Sequence, residues 1–160
     1  MRTLLTALTA LMLFATPVVA GDWEDGYGAY GAGDYQKAFR LWKPLAEQGD
    51  VRAQSNLGLM YDLGKGVPED DAKALYWYRK AAEQGNAPAQ HNLGVKYYLG
   101  EGVLEDYVQA YAWMSIAATQ GNANAKKGKG TLKKEMTREQ IAKGQELSSE
   151  YWEKYVVPFQ

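Results

Sequence analysis

The residues best suited to chemistry are few: one histidine, His91, two acidic runs, Glu69-Asp70-Asp71 and Glu105-Asp106, and no cysteine at all. A histidine beside a carboxylate suits general acid–base work, and paired carboxylates can share a proton or a metal. A single histidine without cysteine does not make a convincing Ser-His-Asp triad or His-rich metal site. Both acidic runs fall where helices are expected to start. There a carboxylate caps free backbone N–H groups and meets the positive end of the helix dipole. A carboxylate enzyme built from distant residues stays open as the minor reading. His91 reads as a surface histidine on a helix, with a partner contact as the sharper alternative.

Three glycine-rich stretches invite a phosphate. Gly26-Tyr27-Gly28-Ala29-Tyr30-Gly31 matches GxGxxG, but that fingerprint works only between a β-strand and a helix. The preceding Gly21-Asp22-Trp23-Glu24 is no strand. Gly64-Lys65-Gly66 and Gly100-Glu101-Gly102 follow helical patterns and lack the Lys-Ser/Thr ending of a P-loop, so they read as turns. Lys126, Lys127, Lys129, Lys133 and Lys134 form the one basic cluster. It reads as a solvated helix face, with weak attraction to an acidic partner or anionic lipid as the alternative. No metal and no cofactor is expected.

Those glycines belong to something larger. NLGLMYDLGKGVPED at 56–70 returns 36 residues later as NLGVKYYLGEGVLED at 92–106, and half the positions of 49–84 recur in 85–120 without a gap. A fixed period of that size marks a stacked-repeat protein. In each unit Ala53, Leu57, Tyr61 and Ala89, Leu93, Tyr97 lie on one face of a first helix. Gly58 and Gly94 interrupt it at about 1 kcal/mol each against alanine, which suggests a close helix–helix approach. Gly64, Gly66, Gly100 and Gly102 then supply the positive φ of a turn. Asp70 and Asp106 cap a second helix, whose inward face is expected to be Ala74, Trp77, Ala81 and Ala110, Trp113, Ala117.

The pattern extends both ways. GDYQKAFRLWKPLAEQ at 33–48 is a second helix in the same register, and a weaker first helix precedes it over Asp22–Ala32. Downstream, GNANAKKG opens a further unit that loses the pattern. Thr137 and Gln140 form a capping box, and Met136 and Ile141 a hydrophobic staple, ahead of a last helix over 138–155. The resulting division is 1–20, 21–48 (degenerate repeat), 49–84, 85–120 (full repeats), and 121–157 (degenerate repeat with capping helix). Residues 1–20 carry Arg2, an apolar run over Leu4–Phe14 and the small residues Val18-Val19-Ala20, the order of a secretory signal peptide. Cleavage after Ala20 would place the product in the periplasm or outside the cell. It would leave 17 basic and 19 acidic side chains, a formal charge of −2. That balance argues against nucleic acid, whose binding rests on neutralising many phosphates.

AQxNLGxxYxxGxGVxxD followed by AxxWxxxAAxQG resembles the Sel-one-like repeat (SLR) family, relatives of the tetratricopeptide repeats, and the resemblance covers essentially all of 22–155. It implies an all-α, right-handed α/α superhelix of helix–turn–helix repeats, used for protein–protein interaction or scaffolding. Some exported family members with paired cysteines are described as binding or hydrolysing β-lactams, and this chain has none of those cysteines. A non-enzymatic interaction module is therefore expected. The alternative is an envelope hydrolase acting on cell-wall or β-lactam substrates. In such stacks the first helices line the concave side. By register, the partner-facing positions are Trp23, Glu24, Tyr27 and Tyr30, then Arg52, Ser55, Leu59 and Asp62, then His91, Val95 and Tyr98. The contact energy is expected to centre on Trp23, Tyr27, His91 and Tyr98.

Overall fold

Capping side chains set where the helices begin. The computed structural model describes residues 22–160. It holds α1 (Asp22–Gly31), α2 (Tyr35–Glu47), α3 (Val51–Asp62), α4 (Asp71–Ala82), α5 (Ala87–Leu99), α6 (Tyr107–Thr119), α7 (Ala123–Glu135) and α8 (Arg138–Tyr155), then a 3₁₀ turn, Val157–Phe159. No strand occurs among the described residues. Asp34, Asp50, Asp70, Asn86, Asp106, Asn122 and Thr137 each accept a backbone N–H from the first turn of the following helix. Such a cap contributes about 1 kcal/mol. The expected capping box of Thr137 and Gln140 is present, and Gly64, Gly66, Gly100 and Gly102 all have positive φ. The signal peptide read over 1–20 lies outside the described residues.

Helices pair as α1 on α2, α3 on α4 and α5 on α6, and α2 on α3 and α4 on α5 join the pairs into a stack. Within each pair a glycine of the first helix admits a large side chain of the second. A Cβ at Gly58 would stand 2.5 Å from the Tyr78 ring, and one at Gly94 would stand 2.8 Å from Met114 Cγ. A Cβ at Gly26 would collide with the Trp42 indole. Trp42, Tyr78 and Met114 occupy one register position, 36 residues apart.

This register corrects the expected inward face of α4. Ala74, Tyr78 and Ala81 point inward and are fully buried, while Trp77 is only half-buried. The slot opened by Gly58 faces position 78, about 100° further round the helix than 77. Trp113 is buried as expected, and the reason lies outside its own pair: its ring packs against Tyr151 and Tyr155 of α8, centroids 4.4 and 5.3 Å away. The loss of about 3–5 kcal/mol expected for truncating a buried tryptophan therefore belongs to Trp42 and Trp113, not to Trp77.

α6 differs from the other helices. Every residue from Ala110 to Ala117 is buried, because α5, α7 and α8 all pack against it. A helix apolar on all sides is stable only when surrounded in this way.

Successive units are joined by two repeated contacts. A Cβ at Gly66 would stand 2.5 Å from the Tyr35 carbonyl oxygen, and one at Gly102 would stand 2.7 Å from that of Asp71. Each inter-helix loop thus rests on the start of the preceding unit's second helix. Deeper in, Gln54 Nε2 donates to the Ala46 carbonyl at 3.0 Å and Gln90 Nε2 to that of Ala82 at 3.1 Å. Their own oxygens accept from Gln84 and Gln120 at 2.8 and 2.6 Å. The buried amides are thereby paired, which burial requires.

Candidate functional site

The first helices form a continuous layer, α3 against α5 and α5 against α7, and most of the expected partner positions lie in it as ties between neighbouring units. Trp23 stacks on Trp42 at 5.3 Å, accepts the Trp42 indole N–H on its carbonyl, and carries the Arg52 guanidinium 4.4 Å above its ring. Tyr30 packs on Trp42 and Tyr35, and its hydroxyl accepts from Lys65 Nζ at 3.4 Å. Leu59 and Val95 are half-buried against the core, and Ser55 is half-buried as well. The Tyr98 hydroxyl donates to the Glu135 carboxylate at 3.1 Å. Glu24, Tyr27 and Arg52 remain exposed, Tyr27 at 67%.

His91 departs from the surface position expected of it. It is half-buried between α5 and α7, where a Cβ at Gly128 would lie 4.0 Å from its ring. Its Nδ1 is enclosed and finds no protein hydrogen-bond partner among the described residues. Burial disfavours the imidazolium and holds its pKa below the ordinary value.

Asp62 leads to the least anticipated group. Lys96 is buried, with its ammonium paired to Asp62, to Asp71 at 2.7 Å and to Glu101 at 2.8 Å. Desolvation alone would lower its pKa, but the hydrogen bonds it donates to Asp62, Asp71 and Glu101 outweigh it and hold the lysine above its usual range. Asp62 also accepts from the Tyr78 hydroxyl at 3.1 Å. Burial, followed by the Asp62 charge, raises the Tyr78 pKa. One oxygen of each of the three carboxylates lies within 4.8 Å of the other two, close enough to share a cation, and the Lys96 ammonium supplies it. The arrangement locks α3, α4, α5 and the following loop together.

The remaining chemical candidates resolve into structure. Asp70 and Asp106 are caps. The GxGxxG stretch lies within α1, with no strand before it among the described residues. Of the lysine cluster, Lys126, Lys127, Lys133 and Lys134 line the exposed side of α7, and Lys129 lies 6.0 Å over the Tyr111 ring.

A family model described as Sel1 repeat matches residues 21–50, 51–86 and 87–122. The chain belongs to the Sel1 repeat family. Among solved structures it is similar to c5321, described as a protective antigen present in uropathogenic Escherichia coli strains and displaying an SLR fold. The match has 37% identity and a TM-score of 0.83 over 86% of this chain. The chain spans 30% of the length of c5321. A Sel1 repeat protein from Oxalobacter formigenes matches at 35% identity and a TM-score of 0.57, over 69% of this chain and 98% of that one. No match was found among curated proteins.

Two features of these Sel1 units escaped the reading of the sequence. Lys96 stands 36 residues after Met60, and both are buried. A lysine at a core register position was the available signal. The second is the outer side of α4, where Tyr76, Trp77 and Lys80 line a groove with the C-terminal turn. It brings together residues some 80 apart, with no local pattern to mark it.

Proposed function

We propose that the chain is an exported, non-enzymatic interaction module that holds a protein partner against its layer of first helices, in the concave position usual for stacks of this kind. Sel1 repeats are in general protein–protein interaction modules. The observation that carries the reading is the exposed aromatic and charged set, Tyr27 and Glu24 on α1 and Arg52 on α3. Tyr and Arg are favoured where a few contacts dominate binding. Half-buried Trp23, His91 and Tyr98 would border that contact, because each also ties neighbouring helices. Export rests on the leader-like residues 1–20, and the antigenic character in the description of c5321 supports it. An envelope protein is the proposed partner class.

The test is capture from envelope extract by the purified chain, with cross-linking and mass spectrometry to identify what is held. Tyr27→Ala combined with Glu24→Arg should abolish capture and leave helical circular dichroism intact. Undiminished capture by the folded double variant would move the contact off this layer. The exported form should begin at Gly21; a chain retaining Met1–Ala20 would overturn the location.

A further inference from the structure

The two full units differ in what covers their second helices. On α6, Trp113 lies under Tyr151 and Tyr155, and Ile116 lines the α6–α8 seam with Ser148 and Trp152. Both are almost fully buried. Their register mates on α4 are Trp77 and Lys80, with Tyr76 in place of Ala112. Tyr76 is 52% exposed and Trp77 half-buried, and the two rings meet edge to face at 5.0 Å. Together with Gln84, Pro158 and Phe159 they border a groove of about 660 Å³. Phe159, on its far wall, is 56% exposed.

We propose that this groove docks an amphipathic helix of a partner protein, one carrying two aromatic side chains a turn apart. The molecule itself displays the occupant: α8 covers the equivalent face of α6 with Tyr151 and Tyr155, spaced i, i+4 on one side of a helix. The groove is bounded by the last turn of α8, so a docked helix would extend the layer that α8 begins. Lys80 and Lys154 on its rim, with Glu47 and Glu83, suit a partner whose polar flank carries both signs of charge. Exposed Leu63, Leu99 and Leu104 stand at helix ends and in a loop, whereas Tyr76, Trp77 and Phe159 converge on one groove. Aromatic side chains gathered in this way are the residue type favoured where a few contacts dominate binding.

The probe is a fluorescein-labelled peptide with the sequence of residues 138–155, titrated into the full chain and followed by anisotropy. Saturable binding is expected, weakened at least tenfold when the peptide residues matching Tyr151 and Tyr155 are alanine. The same loss is expected for the unaltered peptide when the chain carries Tyr76→Glu, an exposed change that leaves the fold intact by circular dichroism. No saturable binding would overturn the proposal. Binding that survives Tyr76→Glu would also overturn it, since the peptide would then be exchanging with α8 on α6. Self-association of the unmodified chain that Tyr76→Glu abolishes would assign the groove to a second copy, and so overturn the partner helix.

Discussion

An alanine methyl at Gly58 would stand 2.5 Å from the Tyr78 ring, whereas at Gly28 it would meet nothing within 4 Å. Both glycines lie inside helices, where alanine is ordinarily favoured by about 1 kcal/mol. Thermal unfolding should therefore separate them: Gly28→Ala raises stability by about 0.5–1 kcal/mol, while Gly58→Ala lowers it. Equal shifts in the same direction would contradict the close approach of α3 and α4. His91 gives a second expectation at this scale. Its folded pKa lies below the ordinary value of 6.5, so the unfolded chain binds the extra proton first. Stability is complete above about pH 6.5 and declines as pH falls from there toward the folded pKa. His91→Gln should remove that decline from a series of melting curves between pH 7 and pH 5. The glycine approach was legible because its cost recurred at one place in both units. The depth of His91 was not, since α7, which covers it, departs from the repeat.

Helix boundaries were readable almost to the residue, because caps, turn glycines and the 3.6-residue period are local signals. Which side chain fills a slot is not local. Trp77 is the residue the repeats share, but the space beside Gly58 is filled by Tyr78, which they do not share. The same holds for Lys96, whose three carboxylates come from α3, α4 and the loop after α5. Replacing it by methionine restores the residue type of the preceding unit but strands three acids around an apolar group. Lys96→Met should destabilise the fold, by less than the ~3–5 kcal/mol of a fully buried pair, because Asp71 and Glu101 keep 42% and 43% exposure and remain solvated once the lysine is gone. A melting curve unchanged by that substitution would show the network to be dispensable. For α8, deletion of 138–160 should uncover Trp113 and Ile116 and melt α6 with it, seen as a loss of helical signal well beyond the segment removed.

Across the whole stack, stability should grade from the ends toward α6, since in such arrays it is a sum of neighbour contacts. Hydrogen exchange should be fastest in α1, which packs mainly on α2, and slowest in α6, which packs on three helices. Uniform protection would contradict that grading. The stacked architecture was legible from the 36-residue period; the α4 groove was not, because its far wall is a C-terminal turn outside the repeat. The glutamine chain carries its own consequence. Each link runs from an alanine carbonyl at the end of one unit, through a buried glutamine, to a glutamine closing the next. Position 126, where a further link would fall, is lysine. A unit therefore presents matching connectors at its two borders, like a segment cut for splicing. An extra copy of residues 85–120 placed after Gln120 would continue the glutamine chain through Ala118, but its lysine would meet Tyr98 and Tyr107 where Lys96 meets Asp62 and Asp71, so the amide connector repeats from border to border while the ion network fits one border alone.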